Sequence, residues 1–141
     1  MKVPLQGKTK NAVISELIDL LTDNGMISDK KVASEAVFNR EKTRSTGIGS
    51  GIAIPHGKCK AVKELVMAMG LTAEPVDFDS VDDKPVRIVI LLISPLDQTG
   101  PHIQALARIS RLLLDEPFKQ MFEQAATAEQ AYSLLTRKEA E

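Results

Sequence analysis

The sequence has 141 residues, of which 43% are hydrophobic and 26% are charged, and its net charge is −1 at neutral pH. This composition is typical of one globular domain; it excludes general disorder and offers no basic surplus for nucleic acid or an anionic membrane. No apolar run approaches the roughly 20 residues that span a bilayer, and the N-terminus lacks the apolar part of a signal peptide. The single cysteine, Cys59, cannot form an intrachain disulfide, so we expect a cytoplasmic protein.

The first third of the chain predicts an arm or edge strand followed by two helices. Thr9 is a suitable N-cap for the first helix, and Asn24-Gly25 is a suitable stop. Ser28 and Asp29 begin the second helix. The predicted ranges are residues 1–8 for the arm, about 10–22 for the first helix and about 28–42 for the second.

Arg40 interrupts the apolar face of the second helix. Ala33, Ala36 and Val37 lie on one face, and Arg40 continues that stripe at the next helical step. An arginine at such a position either extends its charged end to water or meets an anion. Both interpretations stay open, and the second places Arg40 beside the glycine-rich segment that follows. Glu41 is left out of the site because adjacent helical residues point apart.

The glycine-rich segment that follows ends in a proline and a histidine, with the sequence TGIGSGIAIPHG over Thr46–Gly57. Ile52–Ile54 is consecutively apolar, which predicts a short strand covered on both faces. Pro55 cannot donate to a neighbouring strand, so the strand should stop there. His56 is therefore expected at a strand end, held by a rigid element beside a glycine loop.

The rest of the chain predicts two buried strands and then three helices. Pro101 fits the first position of a helix, which places His102 in its first turn. The predicted strands cover residues 65–71 and 86–93 with an acidic, turn-rich segment at 74–84 between them, and the later helices start near Pro101, Asp115 and the capping box Thr127–Gln130. Residues 137–141 are expected to fray. Helices before and after buried strands predict an α/β layered architecture.

The two histidines suggest chemistry on a phosphoryl group. His56 is a candidate nucleophile or acid–base group, because imidazole can be neutral near neutral pH. A helix N-terminus disfavours protonation of His102 and attracts anions. A neutral imidazole, an arginine and a helix N-terminus together suit a phosphoryl group, which makes His56, His102 and Arg40 the candidate site.

The same residues also permit other interpretations. His56, Cys59 and His102 supply at most three metal ligands without a standard spacing, so neither a metal nor a cofactor is expected. Cys59 has no identifiable base and is expected to pack as a buried thiol. The glycine segment lacks the Lys-Ser/Thr ending of a P-loop, and a plain tight turn is its remaining alternative.

Several stretches resemble the enzyme IIA domain of the phosphotransferase system, fructose/mannitol type, which includes the nitrogen-regulatory branch. The resemblance is carried by Asn39–Lys42, Ser45–Gly49, Gly51–Gly57 and the helix that begins HIQALARI at His102, and it covers about residues 5–135. It implies a central mixed β-sheet flanked by helices on both faces, in a single domain over residues 1–141 with an ordered core of about 5–135.

The resemblance also implies a phosphotransferase component that carries a phosphoryl group without a cofactor. His56 would accept the group on Nε2 from the small carrier protein HPr, and then pass it to an enzyme IIB domain or serve as a regulatory state. His102 would be the second active-site histidine and Arg40 the arginine near the phosphoryl group. Thr46 lies close enough in sequence to contribute a hydroxyl or backbone N–H.

The family that the chain resembles has a nitrogen-regulatory branch and a sugar-transport branch. Absence of fused transport domains favours the nitrogen-regulatory type, and the alternatives are a sugar-transport component or a phosphate-independent binding module of the same fold. The chain has Thr43-Arg44 where many relatives have Leu-Gly, and Ile103 where leucine is commoner. Arg44 adds positive charge beside the expected docking face and is expected to bear on partner choice.

Overall fold

Six strands form one mixed β-sheet with five helices packed against it in this computed structural model, which describes residues 1–140 and the side chains of residues 1–138. The strands are β1 Lys2–Leu5, β2 Gly47–Gly49, β3 Ile52–Ala53, β4 His56–Lys58, β5 Val66–Val76 and β6 Val86–Ser94. The helices are α1 Lys10–Asp23, α2 Lys30–Thr43, α3 Thr99–Leu113, α4 Glu116–Glu123 and α5 Ala128–Ala140.

The strand order is β1-β5-β6-β3-β2, and β4 also pairs with β6. β6 is antiparallel to β5 and parallel to both β3 and β4, so β3 and β4 lie end to end along one edge of β6. Pro55 separates them because proline has no N–H to donate. The predicted strand end at Pro55 is therefore correct, but the chain resumes at once in β4, which pairs His56 with Leu92. This pairing fixes the backbone of His56.

The long strands hold the core. β6 is buried along almost its whole length, as predicted, and extends one residue further to Ser94. β5 runs to Val76 rather than Leu71, with irregular pairing between those two residues. The first part of the predicted acidic loop is therefore strand, and Pro75 is tolerated because it falls within the irregular stretch.

The two faces of the sheet are covered by different helices. α1 and α2 cover one face, in an apolar cluster that includes Leu17, Val37 and Val89. α3, α4 and α5 cover the other, in a cluster that includes Ile90, Leu113 and Phe122. The predicted architecture, a mixed sheet with helices on both faces, is confirmed.

Side-chain caps begin the helices where the sequence predicted starts. Thr9 accepts from the Ala12 N–H, Asp29 from the N–H groups of the first turn of α2, and Asp115 from the Phe118 N–H. The capping box before α5 is present in altered form, because the Gln130 side chain accepts from the Ala126 N–H rather than from the cap residue itself.

Two helix boundaries differ from the prediction. α3 begins at Thr99, two residues before Pro101, so Pro101 is its third residue. α5 continues to Ala140 through most of the segment expected to fray, while Glu141 lies outside the described residues. Among the helices of residues 1–140, none has the length and hydropathy needed to cross a membrane.

Candidate active site

The glycine-rich segment before His56 is a tight β-hairpin. β2 and β3 pair antiparallel, and the turn residues Gly49, Ser50 and Gly51 all have positive φ angles, of 98°, 58° and 79°. Glycine adopts this region without steric cost, which explains two of the three turn residues. The Ser50 N–H donates to the Asp82 carboxylate at 3.0 Å, which fastens the turn to the segment after β5.

A backbone carbonyl two residues earlier in the chain holds the His56 ring. Its Nδ1 lies 2.8 Å from the Ile54 carbonyl oxygen. A carbonyl oxygen can only accept, so Nδ1 carries the proton in this hydrogen bond and the Nε2 of the neutral ring keeps its lone pair. Gly57, the next residue, lies against α2: a Cβ there would come within 3.1 Å of the Ala36 and Val37 backbone. This close contact packs the middle of α2 against β4, next to His56.

His102 lies beside His56, with the two ring centroids 5.3 Å apart and the ring planes 60° apart. It is the fourth residue of α3 and is only 5% exposed. Its Nδ1 lies 2.6 Å from Oγ of Ser94, the fully buried last residue of β6. Ser94 lies just after the predicted strand 86–93 and was given no role from the sequence; the available signal was a polar residue at the end of an apolar run.

Both histidines have lowered pKa values. Burial lowers the pKa of His56 most, and the positive charges of Arg40 and Lys58 lower it further, while the hydrogen bond to Ile54 and the Glu41 carboxylate act in the opposite direction. Burial also lowers the pKa of His102 most, followed by the charge that His56 bears when protonated and by the charge of Lys58. At neutral pH both rings are therefore neutral, as the sequence analysis expected for a nucleophilic imidazole.

Arg40 lies near enough to act on His56 electrostatically, and it also forms a hydrogen bond at the end of its own helix, α2. Its Nη1 donates to the Arg44 carbonyl oxygen at 2.8 Å, at the C-terminal end of the helix. A guanidinium has five N–H donors, so this bond leaves others for an anion. The Arg40 side chain is half-buried.

Glu41 is a buried carboxylate that the sequence analysis left out of the site. It is 6% exposed, it forms an ion pair with Lys10 at 2.7 Å, and it accepts from the Thr46 N–H at 2.9 Å and from the Thr46 hydroxyl. Both donors of Thr46 are therefore used by Glu41. The structure places Thr46 as the attachment point of the hairpin, and neither of its donors is directed to a ligand.

The buried position of Glu41 follows from the spacing of the buried residues of α2. The buried residues of α2 are Ala33, Val37 and Glu41, spaced four apart, whereas Arg40 lies at the margin of that stripe. Adjacent helical side chains point apart, so Glu41 binds Thr46 while Arg40 donates to the Arg44 carbonyl. The spacing of Ala33, Val37 and Glu41 was the available signal.

Lys58 and Cys59 follow His56 and have different surroundings. Lys58 is exposed, and its Nζ donates to the Thr99 hydroxyl at 3.1 Å, at the start of α3. Cys59 is a buried free thiol in the α1–α2 core cluster, and its N–H donates to the Ser94 carbonyl at 3.0 Å. Cys59 is thus a packing residue, as predicted, and Lys58 is a cation that the sequence analysis did not assign to the site.

The chain belongs to the family of the phosphoenolpyruvate-dependent sugar phosphotransferase system, EIIA 2, whose model matches residues 1–138. It is 35% identical over 127 residues to the fructose-specific EIIA component of Haloferax volcanii, covering 90% of this chain and 82% of that one. It is 32% identical to the fructose-specific EIIABC component of Bacillus subtilis over 97% of this chain, which spans only 22% of that longer relative.

Solved structures of the same fold include a nitrogen regulatory protein and a mannitol enzyme IIA. A nitrogen regulatory protein from Neisseria meningitidis superposes with a TM-score of 0.84 at 32% identity, covering 93% of this chain and 90% of that one. The mannitol enzyme IIA of Escherichia coli, solved in complex with phosphorylated enzyme IIB, superposes with a TM-score of 0.80 at 23% identity. The match covers 95% of this chain and 92% of that one. Members of this family are phosphotransferase components that carry phosphoryl groups on histidine, so the expected class of protein and its carrier function are confirmed.

Proposed function

We propose that His56 is the residue that carries the phosphoryl group, with HPr as the donor. The observation that supports this is the hydrogen bond from His56 Nδ1 to the Ile54 carbonyl, which leaves the Nε2 lone pair as the nucleophile. His102 and Arg40 complete the site as the groups nearest the transferred phosphoryl. On this proposal residues 1–141 act as one phosphotransferase domain.

The transfer replaces one N–P bond by another. The His56 Nε2 lone pair attacks phosphorus, and the N–P bond of the donor breaks with its electron pair returning to the donor imidazole. In both the donor ring and the His56 ring, the nitrogen that does not bind phosphorus carries a proton. The donor therefore leaves as neutral imidazole, and no net proton is taken up. The phosphorylated His56 ring then bears a positive charge, which the Ile54 carbonyl and the Glu41 carboxylate stabilise.

Positioning and charge supply the rest of the catalysis. The phosphoryl oxygens are anionic throughout, so a guanidinium and a neutral imidazole N–H are suitable partners for them. Arg40 offers its remaining N–H groups, and Lys58 adds a second positive charge near both histidines. No cofactor or metal enters this proposal.

The direct test is phosphoryl transfer from phosphorylated HPr. We expect the wild-type chain to acquire a phosphate that is labile in acid and stable in base, and His56→Ala to acquire none. Mass spectrometry of a proteolytic digest then locates the modified residue. A wild-type chain that stays unlabelled with every HPr tried would instead favour the phosphate-independent binding module.

The acceptor separates the two active branches. We favour the nitrogen-regulatory type, supported by the match to the Neisseria protein over nearly the full length of both chains. The transport alternative is supported by the Haloferax fructose component, which is also a short chain. Rapid transfer from the phosphorylated protein to a fructose- or mannitol-type IIB domain would favour transport, and retention of the phosphate would favour regulation. Either role, with its phosphotransferase partners and the free thiol of Cys59, supports a cytoplasmic location.

A further inference from the structure

We propose that Ser94 is a positioning residue, which fixes the neutral His102 ring with its proton on Nε2 and so makes it a hydrogen-bond donor to the phosphoryl group. This inference rests on the proposed function of His56. It adds the reason that His102, the second histidine, has a hydrogen-bond donor at Nε2.

The contact that carries the proposal is short and fully enclosed. Ser94 Oγ and His102 Nδ1 are 2.6 Å apart, with the serine 0% and the histidine 5% exposed. Water therefore has little access to either group, and the two polar atoms must satisfy each other.

The direction of this hydrogen bond follows from the needs of the serine hydroxyl. If Nδ1 donated to Oγ, the hydroxyl proton would need another acceptor. Among the described residues, His102 Nδ1 is the hydrogen-bond partner that the structure gives this hydroxyl. Leaving the proton buried without an acceptor is costly, so the hydroxyl donates and Nδ1 accepts. The ring proton of neutral His102 is then on Nε2.

Both partners of the contact are held by backbone structure. Ser94 ends β6, and its carbonyl oxygen accepts from the Cys59 N–H at 3.0 Å, directly after β4. His102 lies in the first turn of α3, where its own N–H donates to the Gln98 carbonyl at 3.1 Å. The serine therefore connects the histidine on α3 to the strand beside His56.

The chosen tautomer matters because the phosphoryl group is an anion. An Nε2–H donates to an anionic oxygen, whereas an Nε2 lone pair would repel it. Burial and the nearby Lys58 lower the pKa of His102, so at neutral pH the ring carries one N–H rather than two. The neutral ring must therefore be in the correct tautomer before the donor protein arrives.

The test reads the tautomer directly by two-bond ¹H–¹⁵N correlation NMR of the full unphosphorylated chain above pH 7.5. We expect wild-type His102 to give an unprotonated Nδ1 and a protonated Nε2, and Ser94→Ala to give shifts averaged between the two tautomers. A wild-type Nδ1 that is protonated, or a Ser94→Ala spectrum without change at His102, would overturn the proposal. This measurement needs no phosphoryl donor, so it decides the matter even if the proposed function fails.

The second arm measures transfer from phosphorylated HPr to His56. We expect Ser94→Ala to slow the transfer step by about 3- to 10-fold, the effect of one hydrogen bond, without changing the apparent KM, since buried Ser94 cannot touch the partner. Ser110→Ala is the matched control. Ser110 lies on α3, the helix that carries His102, and donates to the Leu106 carbonyl at 2.9 Å, so its loss should leave the rate and the His102 spectrum unchanged. Equal slowing in both variants, or an unchanged Ser94→Ala rate, would contradict the role of Ser94.

Discussion

The two sides of the candidate site differ in how they hold their functional groups. On the α2 side the groups are charged: Glu41 forms an ion pair with Lys10 and accepts from both donors of Thr46, and Arg40 acts electrostatically on His56. On the α3 side the enclosed groups are neutral, with Ser94 and His102 paired at the end of β6. His56 lies between the two sides and is itself held by a backbone carbonyl.

This difference indicates a division of tasks. Charged groups set the electrostatic potential at His56, and they do so in opposite directions, since Arg40 lowers its pKa and Glu41 raises it. A neutral hydrogen bond sets orientation without adding charge. Substitutions on the two sides should therefore be distinguishable by whether they change the pKa of His56 or only the geometry of His102.

The largest effect is expected for Glu41→Gln. Removing the carboxylate leaves Lys10 without its buried partner and weakens the attachment of Thr46, so we expect the free energy of unfolding to fall by about 2 kcal/mol. The value is below that of a fully buried pair because Lys10 is 19% exposed. Urea unfolding followed by circular dichroism measures it. The pKa of His56, followed by NMR, should also fall, because the charge that raised it is gone.

Glu35→Gln is the matched control for this prediction. Glu35 lies on the same helix and carries the same charge, but its side chain is exposed to water. We expect its loss to change the free energy of unfolding by less than about 0.5 kcal/mol. If Glu41→Gln were no more harmful than Glu35→Gln, the buried charge pair would not be what attaches the hairpin to α2.

Much of the fold could be predicted because it depends on local patterns. The caps Thr9, Asp29 and Asp115 and the apolar run of β6 each satisfy a requirement that is visible within a few residues. β4 could not be predicted, because three residues after a proline become a strand only when β6 is beside them. The extension of β5 to Val76 likewise depends on pairing with Val86.

The candidate site was predictable where residue type alone limits the chemistry. Two histidines and one off-pattern arginine were sufficient to suggest His56, His102 and Arg40, and the structure brings the two rings together. Ser94 was given no role, and Glu41 was left out because adjacent helical residues point apart. A buried hydroxyl or carboxylate acquires its role from the partner that the fold supplies, and neither partner is visible in the sequence pattern. Thr46 was predicted near the site, but its contact with Glu41 was not.

The next effect in size is expected for Arg40→Ala. Loss of the guanidinium removes charge stabilisation of the phosphoryl group, so we expect transfer from phosphorylated HPr to slow by about 10-fold or more. The fold should be preserved, because the hydrogen bond to the Arg44 carbonyl is solvent-exposed. The pKa of His56 should rise, opposite to the change in Glu41→Gln. Stopped-flow transfer kinetics and an NMR titration measure the two quantities.

Lys42→Ala controls for the loss of one positive charge at the end of α2, since Lys42 is exposed at the same helix end. We expect its transfer rate to stay within about 2-fold of wild type, as for surface charges screened by salt. Equal rates for Arg40→Ala and the wild type would mean that Arg40 only extends to water and caps α2.

A smaller effect is expected for Lys58→Met. Lys58 lowers the pKa of both histidines, whereas Arg40 contributes to that of His56. We therefore expect Lys58→Met to raise both pKa values slightly, as for an exposed charge, and Arg40→Ala to raise that of His56 with much less effect on His102. Chemical shifts of the two rings against pH test this. If Lys58→Met changed the pKa of only one histidine, the two sides of the site would not share this cation.

The smallest expected effect is the dependence of stability on pH. Both histidines have lowered pKa values in the folded chain, so between those values and the unfolded value of about 6.5 the unfolded chain binds more protons. The histidine contribution to stability is thus fully present above about pH 6.5 and is lost as the pH falls through the folded pKa values. His102→Gln should remove part of this loss, since glutamine does not titrate. Thermal unfolding of both proteins at several pH values tests this: curves that stay parallel would mean that His102 does not resist protonation in the folded chain.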